Sequence, residues 1–124
     1  TVYTCSGVDL LAHLPLSAMG AAGSGNDIWG WTDPTTGREY ALVGMVNGTV
    51  FVDVTVPTAP AVLGRVLSHN GVSSTWRDVK VYANHAFIVS EAEGHGMQVF
   101  SLARLRGLTA DPGRTFAPDA RYTG

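Results

Sequence analysis

Two short apolar runs, Tyr40-Ala41-Leu42-Val43-Gly44 and Val50-Phe51-Val52-Asp53-Val54, stand either side of Asn47-Gly48. Runs of this length, rich in β-branched and aromatic residues and bounded by turn residues, read as β-strands. Asn-Gly is the strongest tight-hairpin dipeptide, because both residues tolerate the backbone that such a turn requires. The same texture extends in both directions. Upstream, Ile28-Trp29-Gly30-Trp31 is followed by Asp33-Pro34-Thr35-Thr36-Gly37, a turn by its composition. Downstream, Pro57 and Pro60 bracket a loop before Ala61-Val62-Leu63-Gly64. Residues 1–25 differ. Val8, Leu10, Leu11, Leu14 and Leu16 are crowded together and Pro15 interrupts any helix, so a short helical lead-in docked on a core is expected. Ala21-Ala22-Gly23-Ser24-Gly25 reads as a flexible connector.

After residue 75 the pattern restarts. Val79-Lys80-Val81-Tyr82, a tight Ala83-Asn84 turn, Ala86-Phe87-Ile88-Val89-Ser90, Gly94-His95-Gly96 and Met97-Gln98-Val99-Phe100 follow in order. Asp27-Ile28 aligns with Asp78-Val79 at an offset of 51, Gly44 with Ser90 at 46, and Gly48 with Gly96 and Asp53 with Ser101 at 48. The drift falls in loops, where length changes cost little. A period in the forties with three or four strands per copy is the mark of propeller blades. The expected fold is therefore all-β and propeller-like, with about two blades of antiparallel strands behind the lead-in. A sandwich of duplicated hairpins is the alternative. The divisions are residues 1–25, lead-in and linker; 26–75, first blade; 76–108, second blade, ending in a short helical turn over 101–108; and 109–124, a loop toward a further blade. Two blades fall short of a closed ring and would expose sheet edges. A fragment of a larger propeller, or assembly with other copies of the chain, is expected.

Composition narrows the classes. Of 124 residues, 45% are hydrophobic and 15% charged, which places the chain among ordinary folded domains rather than disordered ones. The formal charge of −2, with seven scattered Arg and the single Lys80, lacks the basic stripe of a nucleic-acid binder. No apolar stretch is long enough for a membrane span. Cys5 is the single cysteine, which rules out an internal disulfide. Asn47-Gly48-Thr49 fits a glycosylation sequon, but the hairpin turn is the favoured reading.

Three sets of residues resemble a known family. Asn26-Asp27-Ile28-Trp29-Gly30-Trp31 with Arg38-Glu39-Tyr40-Ala41-Leu42-Val43-Gly44 looks like the first blade of the LVIVD-repeat, or choice-of-anchor B, proteins. Trp76-Arg77-Asp78-Val79-Lys80-Val81-Tyr82, His85-Ala86-Phe87-Ile88-Val89-Ser90 and Gly94-His95-Gly96-Met97-Gln98-Val99-Phe100 look like its second. The resemblance covers about residues 8–122. It implies a β-propeller exported by bacteria and held at the cell surface by varied C-terminal anchors, with no general catalytic activity. Ser101 and Val56 depart from the family, which usually has Asp at those positions.

Asp27 and Asp78 are the leading candidates for a ligand site, since they begin equivalent strands. Alternation puts Asp27, Trp29 and Trp31 on one face and Ile28 and Gly30 on the other. On innermost strands such carboxylates would ring a channel and suit a hard cation such as Ca2+. The competing reading has each Asp accepting backbone N–H groups where its strand begins. His85 and His95 flank a hairpin carrying Glu91 and Glu93, and Glu93 with His95 joins Asp27 and Asp78 as a weak metal-ligand candidate. Gly-x-Ser-x-Gly and the phosphate-loop patterns are absent. Trp29 and Trp31 are candidate binding anchors if they stay exposed, and Trp76 shares that logic. The expected function is a noncatalytic extracellular or cell-surface scaffold presenting loops to a protein or polysaccharide. The alternative is a metal-dependent enzyme or cation-binding propeller with carboxylates at the channel mouth.

Overall fold

The computed structural model describes residues 4–20 and 23–124, and among them the chain is all-β apart from three short 3-10 segments. Strands β1 (Gly25–Thr32), β2 (Glu39–Met45), β3 (Gly48–Asp53) and β4 (Ala61–Leu67) form an antiparallel meander in chain order. Strands β5 (Arg77–Tyr82), β6 (His85–Ser90) and β7 (Met97–Ser101) form a second meander. The chain then visits both sheets. Strand β8 (Thr115–Phe116) lies parallel to β4 on the edge of the first sheet, and β9 (Ala120–Tyr122) pairs antiparallel with β7 in the second.

The two sheets share one core. Trp31, Tyr40, Leu42, Phe51 and Val66 of the first face Val79, Ala86, Ile88 and Phe100 of the second. The Phe51 and Phe100 rings stack with centroids 4.7 Å apart, and Phe116 meets Phe51 edge-on at 6.0 Å. Leu102 and Leu105, on the 3-10 turn at Leu102–Leu105, close the same core. Cross-strand partners share a face, so β2 and β3 contribute Leu42 and Phe51 to this side and Val43 and Val50 to the other. That other face, with Met45, Val52 and Val62, packs on Met19 and Leu14 of the lead-in. Apolar residues on both sides explain why β3 is buried along its whole length.

Two glycines fix the hairpin geometry. A Cβ on Gly48 would collide with the carbonyl oxygen of Val66 in β4, and one on Gly96 with that of Tyr122 in β9. Gly96 also sits at φ 63, a left-handed backbone that glycine adopts without steric cost. The Ala83-Asn84 turn has both residues at positive φ, as a two-residue hairpin of the primed type demands.

Several expectations change. Met45 pairs with Gly48, so the first hairpin turns at Val46-Asn47, one residue before the expected Asn47-Gly48. Gly48 is required for close strand approach instead. Residues 109–124, expected as a loop, carry β8 and β9. Strands of two and three residues show no alternation to read, and their pairing depends on distant backbone. In the expected connector, Ala21 and Ala22 lie outside the described residues, while Gly25 already opens β1. The lead-in helix is a single 3-10 turn, Leu16–Met19, that begins after Pro15.

An Arg–carboxylate fork binds the sheets at one end. Asp33, fully buried in the β1–β2 loop, accepts from Nε and Nη2 of Arg106 at 2.8 and 2.7 Å. The Arg106 guanidinium holds this carboxyl far below the usual carboxylate range, with the Thr35 N–H and Thr36 hydroxyl outweighing burial.

Candidate functional site

Strands β1 and β5 meet along a seam made by side chains of one and backbone of the other. Asn26 Oδ1 accepts the Arg77 N–H and Asp27 Oδ2 accepts the Val79 N–H, each at 2.9 Å. The other Asp27 oxygen accepts the Ile28 N–H at 2.9 Å, and Lys80 Nζ lies 3.4 Å from Oδ2. A bulge in the β1–β2 register between Gly25 and Ile28 frees Asn26 and Asp27 to reach sideways. Burial acts to raise the Asp27 carboxyl, but the N–H groups of Val79 and Ile28 and the Lys80 ammonium outweigh it. Its pKa therefore lies below the ordinary value. Both oxygens are occupied by protein donors. That arrangement has the backbone contacts of the hydrogen-bonding reading of Asp27.

Asp78 is different. It is exposed, and its carboxylate makes no hydrogen bond or ion pair among the described residues. With Asn26, Trp76, Arg77, Val89, Ser90 and Glu91 it lines an open groove of about 360 Å3 at the end of the seam. Trp76 is 58% exposed on this groove. Its carbonyl is held by the Ser90 hydroxyl at 3.0 Å and the Glu91 N–H at 3.2 Å, which fixes the wall behind the indole. Trp29 is 42% exposed farther along the seam, with the Lys80 ammonium 4.5 Å from its ring centroid.

Beneath the groove lies a buried cluster that sequence reasoning missed. Arg77 is 1% exposed and has no carboxylate partner among the described residues. Its guanidinium donates to the Met45 carbonyl at 2.8 Å, to Ser68 Oγ at 3.0 Å and to His95 Nε2 at 3.0 Å. His95 Nδ1 faces the Gly96 carbonyl at 2.8 Å, so the proton belongs on Nδ1 and Nε2 is free to accept. Burial holds the imidazole below its ordinary value; the Gly96 carbonyl opposes this and Arg77 adds to it. The offset of 51 that paired Asp27 with Asp78 also pairs Asn26 with Arg77, the one available signal that position 77 belongs to the seam.

The remaining candidates separate. Trp31 is a core residue, 5% exposed, stacked on Tyr40 and donating its indole N–H to Asn84 Oδ1 at 3.0 Å. It is not available as a binding anchor. His95 is committed to Arg77 and Gly96, while Glu93 is exposed and does not join it. Among the described residues no three His, Cys, Asp or Glu side chains gather as a group able to hold a metal. Cys5 is exposed with a free thiol, and no described helix is long and apolar enough to cross a membrane. No family model, curated protein or solved structure matches the chain.

Proposed function

We propose that the chain is a noncatalytic β-propeller scaffold of the LVIVD-repeat, choice-of-anchor B kind, acting outside the cell or at its surface. On this reading the first sheet and the second are successive blades, with β1 and β5 as neighbouring inner strands. The order of strands in each sheet, the glycine where the third strand of each begins and the face-to-face core support it. The ligand is a polysaccharide bound along the seam. The observation that carries this is the exposure of the Trp76 indole on a groove bordered by Asp78 and Glu91, with a second exposed indole, Trp29, farther along the same seam. A flat indole covers the C–H face of a pyranose, and nearby carboxylates accept hydrogen bonds from its hydroxyls. The groove is open and shallow, which suits one segment of a long chain better than a small molecule enclosed on all sides.

Tryptophan fluorescence titrated with soluble oligosaccharides, neutral and uronic-acid-containing, tests the reading. Saturable quenching by one class is expected, lost in Trp29→Ala and Trp76→Ala while the melting temperature is kept. Quenching that survives both substitutions, or none with either class, would overturn it.

A further inference from the structure

We infer that His95 is a pH-operated latch beneath the groove: its neutral imidazole ties the loop that carries Glu91 to Arg77, and a proton taken up there frees the loop and loosens the groove. As a control on ligand binding, this rests on the groove being the ligand site proposed above; the latch itself rests on geometry. Residues 76–78 line the groove from the start of β5, and Ser90 and Glu91 line it from the end of β6 and the loop that follows. The same loop, residues 91–96, brings His95 back beneath the groove, where Nε2 accepts from Nη1 of Arg77 at 3.0 Å. One buried hydrogen bond therefore ties the strand to the loop. The other bonds of the loop are few. The Glu91 N–H reaches the Trp76 carbonyl at 3.2 Å, the Ala92 N–H reaches Ser90 Oγ at 3.2 Å, and the His95 N–H reaches the Ala92 carbonyl at 3.0 Å.

Protonation removes the acceptor and sets two buried cations side by side. Nothing around them compensates. The titratable groups that face His95 are Arg77 from β5, His69 from the turn His69–Gly71, and Arg121 from β9, whose guanidinium donates to the Gly94 and His95 carbonyls at 2.9 and 3.2 Å. All three are basic, and none forms an ion pair with a carboxylate among the described residues. Glu91 and Glu93, on the loop itself, are exposed. Burial above all holds the imidazole below its ordinary value; the Gly96 carbonyl opposes this, and the three basic neighbours add to it. The imidazole is the partner that leaves. The guanidinium keeps the Met45 carbonyl and Ser68 Oγ, whereas His95 sits on a loop open to solvent at Glu91, Glu93 and Gly94. Outward movement of that loop takes Glu91 from the groove and releases the Trp76 carbonyl behind the indole.

Amide hydrogen exchange of the full chain, followed by NMR from about pH 5 to about pH 7.5, tests this. Each unit of pH below about 6.5 should lower the protection of the Glu91, Ala92 and His95 amides about tenfold, because the freed imidazole binds a proton that the latched one does not. Their protection should also stay below that of Val50 and Phe51 in β3, which exchange through global unfolding. His95→Gln, whose amide oxygen accepts at any pH, should abolish the slope. Should that variant not fold, the ring-nitrogen shifts of His95 in the wild type are expected to titrate in step with the loss of protection. Protection that ignores pH, keeps its slope in His95→Gln, or equals that of β3 would overturn the inference. An oligosaccharide that quenches Trp76, added at about ten times its Kd, should raise the protection of the same three amides about tenfold. Quenching without added protection would overturn the control of binding. Absence of quenching counts against the ligand site, and the exchange slope still decides the latch.

Discussion

Nη1 of Arg77 lies 3.0 Å from Nε2 of His95, and each residue is 1% exposed. A buried guanidinium is held there by neutral acceptors alone, and the imidazole accepts only while it is unprotonated. The folded state thus binds a proton at His95 less readily than the unfolded chain does. The stability this contributes is complete above the ordinary histidine value, about 6.5, and is lost as pH falls below it. Thermal melts should show a lower Tm at about pH 5.5 than at about pH 7.5, and a smaller difference in His95→Gln, whose amide oxygen accepts at any pH. Equal slopes in both proteins would remove His95 from the account. Arg77→Lys, which cannot serve all three acceptors, should cost about 2–3 kcal/mol in urea denaturation.

Asp27 and Asp78 hold equivalent sequence positions and unequal structural ones. Asp27 satisfies the N–H groups of Val79 and Ile28, whereas Asp78 has no partner among the described residues. Asp27→Ala is expected to lower unfolding free energy by about 1–2 kcal/mol, and Asp78→Ala to change it by less than about 0.5 kcal/mol in the monomer. Added calcium should alter neither value. A calcium-dependent loss at Asp27 would restore the cation reading.

Gly48 and Gly96 admit the backbones of β4 and β9, respectively. Alanine at either position should cost about 2–4 kcal/mol, since the obstruction is a carbonyl oxygen in a hydrogen-bonded ladder rather than a mobile side chain. Gly30 has no atom within 4 Å of its notional Cβ, so Gly30→Ala is the matched control and should be near neutral. Chemical denaturation of the three variants decides it. Similar losses at all three would mean that strand flexibility, not close approach, is what these positions supply.

The Asp33–Arg106 fork predicts the acid limit of the fold. Because Arg106 keeps the Asp33 carboxyl well below its ordinary value, the stabilisation is present above about pH 3.9 and is lost as pH falls through the folded value. Arg106→Met should move the midpoint of acid unfolding, followed by circular dichroism, to higher pH. An unmoved midpoint would assign acid unfolding to the other carboxylates with lowered values, Asp27, Asp53 and Asp119.

Local sequence determined the strands from β1 to β7. Alternation, apolar runs and turn residues act over a few positions, and Tyr40–Val54 and Val79–Phe100 carry all three signals. It also aligned Gly48 with Gly96, though as a turn residue and its repeat equivalent rather than as points of close strand approach, and offered backbone hydrogen bonding as one reading of Asp27. Tertiary structure alone decided the rest. The Arg77 guanidinium is buried because residues 45, 68 and 95 bring three acceptors to one point, and no window of sequence contains them. Strand β8 exists because the edge of β4 is open to it, which its own two residues cannot announce. Trp29 and Trp31 share a strand face, yet one is half exposed and the other sealed, because only at Trp31 does the second sheet supply Asn84 and a covering core. Spacing assigns a side chain to a face; what covers that face is set by chain that returns from far away.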